Sequence, residues 1–380
     1  MRFLFALICL LWVQPLLANP NGYRTEAPIA YLYDANSGIV MLEKSADKRI
    51  PTASMAKLMT AYVTFEAIKA KRVGRDSLFT VRPETWAKWQ KRGSTMFLKS
   101  GQKVSVEDLL HGVLTLSGND ASVVLAEGLA GSETSFLNEM NEAAQKLGME
   151  NSKFATANGW PDGGKSYSSA HDLGLLAKHV IEDHPELFAE FFNRRSFKWN
   201  GINQANRNPL LGAVAGADGM KTGHSREAGY CLIGTAKRGE RRLIMVIAGL
   251  PTIESRIEEA RAMMNWGFDS WQEKPLFEAD QKVATLPVQL GKLGAIAAVT
   301  PNKISTLGRA GEASQVRLLV RYIGPLKAPL RKGAEIGQLI IQYPDGMART
   351  FPLVAANDVD HAGFLHRALN GIRSLWRMVA

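Results

Sequence analysis

Two groups of β-type residues flank a long segment that is otherwise helical in character, and this arrangement constrains the fold more than any other feature. Ile29-Ala30-Tyr31-Leu32-Tyr33 and Ile39-Val40-Met41-Leu42 enclose Asp34-Ala35-Asn36-Ser37-Gly38, whose residues favour turns, so residues 29–43 are expected to form a hairpin. Nearly two hundred residues later come two more strand-like runs, Tyr230 to Ala236 and Arg242 to Leu250, joined by Lys237-Arg238-Gly239-Glu240. Between them, Val106 to Glu127 and Thr134 to Leu147 are rich in helix formers, with apolar residues three and four apart. Strands at both ends with helices between predict one antiparallel sheet built from the two termini of a domain, with a helical insert. Glu254 to Phe268 is then expected to be a helix covering that sheet. The class is α/β in the α+β sense.

After Lys274 the helical windows give way to short β-rich runs, such as Val316-Arg317-Leu318-Leu319-Val320 and Leu339-Ile340-Ile341, separated by turns such as Pro344-Asp345-Gly346. A small all-β domain is therefore expected over residues 275–360, following a first domain over 19–274. Residues 1–18 carry a different signal. Arg2, an apolar run from Phe3 to Val13 and a small residue at Ala18 describe a secretory leader. The run falls short of the roughly 20 apolar residues that a permanent membrane helix needs. At the other end, residues 361–380 hold an amphipathic helix. Phe364, Leu365, Ala368, Leu369, Ile372, Leu375, Trp376 and Val379 fall within an arc of about 140° at 100° per residue. His366, Arg367, Arg373 and Arg377 lie opposite, with no acid from Phe364 to Ala380. Such a helix suits an anionic membrane surface.

Composition matters chiefly for what it excludes. With 46% hydrophobic and 22% charged residues, the chain is neither disordered nor fibrous. Two cysteines, Cys9 within the leader and Cys231, supply neither a disulfide framework nor a Cys-rich zinc site. Cys231 is expected to be a small buried side chain. The formal charge of +10 favours an anionic partner, but the leader and the scatter of the basic residues argue against nucleic acid.

Three short motifs carry the chemistry. Ser54-Met55-Ala56-Lys57 opens a run that reads as helix, so the Ser54 hydroxyl and Lys57 amine share a face. A serine becomes a nucleophile when a base takes its proton, and a lysine kept neutral by burial or a neighbouring cation can be that base. The helix N-terminus would also favour a developing oxyanion. Ser117-Gly118-Asn119 breaks the apolar stretch Leu109 to Leu116 and suggests a loop pointed into a cleft. Lys221-Thr222-Gly223, followed by His224, would suit a bound carboxylate at a strand edge; the pattern of a phosphate-binding loop is missing. Each motif alone is common. Together, with Ser117 coming 60 residues after Lys57 and Lys221 another 104 after that, they are specific.

Their order and spacing resemble the penicillin-recognising serine enzymes. Pro51-Thr52-Ala53-Ser54-Met55-Ala56-Lys57-Leu58-Met59-Thr60, Ser117-Gly118-Asn119-Asp120-Ala121-Ser122, Asp218-Gly219-Met220-Lys221-Thr222-Gly223-His224 and Asn265-Trp266-Gly267-Phe268 resemble the low-molecular-mass penicillin-binding proteins that are D-alanyl-D-alanine carboxypeptidases. The resemblance spans nearly the whole mature chain. It implies a β-lactamase/transpeptidase-like first domain and a serine hydrolase with no cofactor or metal. Its substrate would be a peptidoglycan stem peptide ending in D-Ala-D-Ala, and β-lactams would acylate Ser54. It further implies Ser54 as nucleophile, Lys57 as its base, Ser117 as proton relay and Asn119 as holder of the substrate amide. Lys221, Thr222 and Gly223 would form the carboxylate-binding strand. The backbone N–H groups of Ser54 and His224 would form the oxyanion hole. Arg256 matches an arginine near the substrate carboxylate, the alternative being a helix-surface residue beside Glu254 and Glu258. The side chain of His224 is expected to line the cleft or to be structural. Asn158-Gly159-Trp160 departs from the family, where Leu commonly stands at the third position. The implied location is the outer, periplasmic face of a bacterial cytoplasmic membrane.

Three rivals share some of these residues. A class A β-lactamase would need Ser-Asp-Asn and an acid in the deacylation motif, yet the window around Lys153-Phe154-Ala155 has none. A D,D-endopeptidase would use the same residues, and the β domain and tail favour the carboxypeptidase. A catalytically weak murein-binding or shape-maintenance protein is disfavoured by the intact motifs.

Overall fold

The computed structural model describes residues 23–309, 316–342 and 348–363. The expected leader, the turn at Pro344-Asp345-Gly346 and the amphipathic tail from Phe364 lie outside the described residues. The chain forms two compact units. One comprises the described residues through Asn36 together with Val40–Gly267; the other comprises Ser37–Ile39 and the residues from Phe268 onward.

The first unit is built on a five-stranded antiparallel sheet of β1 (Ile29–Asp34), β2 (Val40–Lys44), β3 (Ala217–Ser225), β4 (Gly229–Arg238) and β5 (Arg241–Leu250), in the order β2-β1-β5-β4-β3. The predicted hairpin and the later strand pair are joined where β1 runs antiparallel to β5, from Ile29 opposite Ala248 to Asp34 opposite Leu243. β1 has neighbours on both edges and layers on both faces, and all six of its residues are buried, Asp34 at its end included. The arrangement leaves β3 at the sheet edge.

The helices are α1 (Lys57–Lys69), α2 (Pro83–Trp89), α3 (Val106–Leu114), α4 (Asn119–Ala130), α5 (Glu133–Lys146), α6 (Ala170–Asp183), α7 (Pro185–Phe191) and α8 (Ile253–Asp269). Side-chain caps start three of them: Ser105, Ser132 and Ser169 accept from the N–H of Asp108, Ser135 and Asp172. α1 is apolar all round, with Leu58, Met59, Ala61, Val63, Phe65 and Ala67 buried, as befits a helix at the centre of the insert. On one face of the sheet, Tyr31, Tyr33, Ile233, Ile244 and Val246 share a core with Met59 of α1 and with Leu173, Leu176 and Val180 of α6. The Tyr33 hydroxyl donates to the carbonyl of Gly174 at 3.1 Å. The opposite face is covered by α8. A Cβ on Gly267 would stand 2.8 and 2.9 Å from the side chains of Leu243 and Leu32, so the helix seats directly on the strands.

The second unit is all β. Strand β6 (Trp271–Phe277) pairs with β9 (Ile304–Arg309). A six-stranded sheet contains β7 (Lys282–Gln289), β8 (Ala295–Val299), β10 (Arg317–Arg321), β11 (Leu326–Lys327), β12 (Glu335–Gln342) and β13 (Ala348–Ala355), in the order β10-β12-β13-β8-β7-β11. The two β-rich runs singled out in the sequence pair with each other, Leu318 opposite Ile341 and Val320 opposite Leu339. No described helix is long and apolar enough to cross a membrane.

Candidate active site

The segment Ala53–Ala56 is a 3-10 turn, and α1 begins only at Lys57. Ser54 therefore lies on a tighter turn than the α-helix its spacing predicts. Residues i and i+3 eclipse one another in such a turn. The Lys57 ammonium nitrogen accordingly lies 3.0 Å from Ser54 Oγ.

Lys57 is fully buried. Its Nζ also donates to Asn119 Oδ1 at 2.8 Å and to the carbonyl of Asn158 at 2.6 Å. Burial pushes its pKa well below the ordinary lysine value, the charges of Lys221 and Arg207 push the same way, and Asp120 opposes them. A neutral amine has two N–H groups and one lone pair. Asn119 and Asn158 can take the two N–H groups, which leaves the lone pair facing Ser54 Oγ. An amine so placed can accept the serine proton.

The Ser-Gly-Asn motif joins α3 to α4. Ser117 adopts φ +61°, and Gly118 N–H donates to Gly112 O at 2.8 Å. A Cβ on Gly118 would crowd that same carbonyl at 3.2 Å, so glycine suits the turn. Asn119 is pinned at three points: its N–H donates to Ser94 O at 2.8 Å, its Nδ2 donates to Arg92 O at 3.0 Å, and its Oδ1 accepts from Lys57. Next to it, buried Asp120 accepts from Thr95 Oγ1 at 2.6 Å and from the N–H groups of Met96 and Leu98 at 2.9 and 3.2 Å. The 94–98 loop is thereby tied to the start of α4.

Edge strand β3 brings the third motif. Lys221, 2% exposed, donates to Ser117 Oγ at 2.9 Å and to Thr222 O at 3.1 Å. Its pKa is pushed down to about 7, first by burial and then by Arg207 and Arg256. Gly223 allows the strand to approach the Ser54 turn, where a Cβ would stand 2.9 Å from Met55 Cγ and 3.5 Å from Ala53 Cβ. The exposed ring of His224 stacks on Tyr230 at 4.0 Å. Arg256 of α8 lies over the same Tyr230 at 5.7 Å and is buried, its Nε without a hydrogen-bond partner among the described residues. Of its two expected settings, the helix-surface one is set aside.

A cleft of about 430 Å³ is lined by Ser54, Ser117, Asn119, Thr222, Gly223, His224 and Arg256, with Lys57 and Lys221 behind its wall. All nine residues singled out from the sequence thus gather at one place. Two features were missed, and the departure noted at Trp160 finds its setting. Arg207 reaches in from a loop between strands and donates to Ser94 Oγ; an arginine between two asparagines carries no sequence signal for this. The carbonyl of Asn158 is a backbone acceptor and has no signature at all. Trp160 forms a wall of the cleft and meets Trp89 edge-on at 5.4 Å. Among the described residues, no group of three or more His, Cys, Asp or Glu is placed to hold a metal ion.

Two family models match the chain. D-alanyl-D-alanine carboxypeptidase matches residues 17–252, and the C-terminal domain of penicillin-binding protein 5 matches residues 271–361. The sequence is 36% identical over 341 residues to the D-alanyl-D-alanine carboxypeptidase DacC of Escherichia coli, covering 88% of this chain and 85% of the relative. The fold is similar to the crystal structure of penicillin-binding protein 5 from Haemophilus influenzae, with a TM-score of 0.75 and 33% identity over 89% of this chain and 99% of that one. It is also similar to penicillin-binding protein D2 of Listeria monocytogenes in its cefotaxime-bound form, with a TM-score of 0.59 and 35% identity, covering 65% of this chain and 99% of that one.

Proposed function

The chain belongs to the D-alanyl-D-alanine carboxypeptidases, hydrolases of the penicillin-binding protein 5 type, and from that premise we propose that it works through an acyl-enzyme on Ser54. The observation that carries this reading is the 3.0 Å approach of Ser54 Oγ to the buried amine of Lys57, whose other two contacts are both carbonyl acceptors.

Neutral Lys57 takes the Ser54 proton as Oγ adds to the carbonyl between the last two D-alanines of a stem peptide. The backbone N–H groups of Ser54 and His224 receive the oxyanion, and Asn119 holds the substrate amide. Collapse breaks the C–N bond, and the proton that Lys57 took passes through Ser117, whose Oγ is held by Lys221 Nζ at 2.9 Å, to the departing amine of D-alanine, which returns Lys57 to its neutral form. The ester left on Ser54 is then attacked by water, Lys57 takes a proton from that water, and Ser54 leaves with its hydroxyl restored. Lys221, Thr222, Arg256 and Arg207 form the cationic end of the cleft that holds the terminal carboxylate.

A β-lactam presents a comparable acyl carbonyl to Ser54, a reading supported by the cefotaxime-bound state of the Listeria relative. On the same reading, the leader at residues 1–18 exports the protein to the periplasmic face of the cytoplasmic membrane, and the amphipathic, basic segment Phe364–Ala380 binds its anionic surface.

The test is D-alanine release from a Lys-D-Ala-D-Ala peptide by the protein from residue 19 onward, beside its Ser54→Ala variant. Release by the first and none by the second is expected. Equal release by both would overturn the acyl-enzyme on Ser54.

A further inference from the structure

Tyr230 lies near the start of β4, directly opposite His224 of β3 in the sheet register, and lines the cleft. Its ring carries two contacts at once. The imidazole of His224 stacks on it, with centroids 4.0 Å apart and planes inclined by 23°. The guanidinium carbon of Arg256 lies 5.7 Å from the centre of the same ring, within reach of a cation–π attraction. The ladder between β4 and β5 shifts register between Tyr230 and Leu232, an irregularity of the kind that re-aims a side chain. Arg256 has few other restraints. It is 7% exposed, and its Nε has no hydrogen-bond partner among the described residues. The groups that act on its charge are Cys231, Tyr230 and Arg207, none of them a carboxylate. A buried guanidinium is ordinarily fixed by a carboxylate that matches its fork of N–H donors. Here an aromatic ring stands in that place.

We propose that Tyr230 is a positioning residue, whose ring holds His224 and Arg256 at a set separation beside Ser54. The inference rests on the D,D-carboxypeptidase reading above, in which the His224 N–H receives the oxyanion and Arg256 helps to hold the terminal carboxylate. The two substrate groups concerned are the carbonyl carbon and the carboxylate carbon of adjacent residues, less than about 4 Å apart. A small drift of either protein group therefore misplaces one contact while the other is made. The two groups also come from different elements. His224 belongs to β3, an edge strand with a ladder on one side only, and Arg256 belongs to α8. Tyr230 touches both. Carboxylate binding at Arg256 then steadies the oxyanion donor through the ring, which favours a peptide ending in a free carboxylate. The face of the ring does this, and the phenol hydroxyl takes no part.

The experiment measures kcat and KM for Lys-D-Ala-D-Ala with both amines acetylated, using the protein from residue 19 onward. Tyr230→Phe keeps the ring and should stay within about twofold of the wild type in both constants. Tyr230→Leu removes it. KM should then rise about three- to tenfold, the range of a partly desolvated cation–π contact, and kcat should fall as well. Replacing Tyr230 by a trifluorinated phenylalanine preserves the shape but weakens the negative ring face, so KM should exceed that of Tyr230→Phe. In an Arg256→Gln background, Tyr230→Leu should no longer raise KM, while the fall in kcat that passes through His224 should persist. Independent, fully multiplied effects on KM in that double variant would overturn the positioning role. So would a Tyr230→Phe protein as impaired as Tyr230→Leu, or a fluorinated ring that leaves KM unmoved. Should the wild type release no D-alanine, the rate at which a fluorescent penicillin labels Ser54 is read instead. Labelling slowed by Tyr230→Leu but not by Tyr230→Phe would keep the positioning role and overturn the carboxypeptidase mechanism; labelling unchanged by either would overturn both.

Discussion

Lys57 and Lys221 are both buried, within reach of Ser54 and Ser117, and Lys221 lowers the proton affinity of Lys57. Burial of an ammonium is costly, and here the largest share of both shifts comes from burial itself. The consequences differ. A lysine that acts as base is useful once it has lost its proton; a lysine that binds a carboxylate is useful while it keeps one. With Lys221 at about 7, kcat/KM for a carboxylate-terminated peptide should fall as pH rises through that value, since the free enzyme then loses a cation from the cleft. Arg207 holds Lys221 down, so Arg207→Gln should move this alkaline limb to higher pH while raising KM. A pH profile of kcat/KM for both proteins checks it; an unmoved limb would separate it from Lys221.

Several elements reach their places because a residue without a side chain lets two backbones meet. Gly159 is the sharpest example. It adopts φ +71°, and a Cβ there would stand 1.7 Å from the Ala53 carbonyl oxygen, directly beneath the turn that carries Ser54. The preceding carbonyl, that of Asn158, accepts from Lys57. Gly159→Ala should therefore separate the 158–160 loop from the Ser54 turn. A stability loss of at least about 1–3 kcal/mol is expected from the strained φ alone, together with a larger fractional loss of D-alanine release than of folded protein. Denaturant midpoints and the release assay on one preparation check this. The helix that the Ser-x-x-Lys spacing suggests is legible in the sequence, but the 3-10 turn that replaces its first residues is not, because that turn depends on contacts with residues about a hundred positions away. The Leu-to-Trp departure at 160 is likewise visible in sequence, while its edge-on partner Trp89 is visible only in the fold.

Across the molecule, the buried titratable groups act in concert on stability. Lys57 and Lys221 lie below their unfolded value near 10.4, so the unfolded chain binds more protons than the folded one over the interval above about 7, and stability there rises with pH. His111, pushed by burial to about 4, adds the same sign between about 4 and 6.5. Tyr31, raised by burial to about 12, and Tyr33, Tyr62 and Tyr23, also raised, reverse the sign above about 10, where the unfolded chain loses phenolic protons that the folded one keeps. Thermal unfolding should thus show a melting temperature that climbs from pH 4 toward pH 10 and declines beyond it. Lys221→Met should flatten the segment between 7 and 10. A wild-type maximum at neutral pH would contradict the burial of both amines.

The sequence by itself determined what local pattern can encode. Runs of β-type residues separated by turns marked the strands, apolar residues three and four apart marked the helices, a change of texture after Lys274 marked a β-rich region, and motif spacing named Ser54, Lys57, Ser117, Asn119, Lys221 and Thr222 together. Only the tertiary structure decided how these groups are tuned. The order β2-β1-β5-β4-β3 puts Lys221 on the sheet edge facing Ser117, 104 residues away. Arg207 enters from a loop, and the backbone carbonyl of Asn158 accepts a hydrogen bond from Lys57. The physical reason is that a lysine's proton affinity depends on which distant atoms exclude water from it, and that exclusion exists only once the chain has folded.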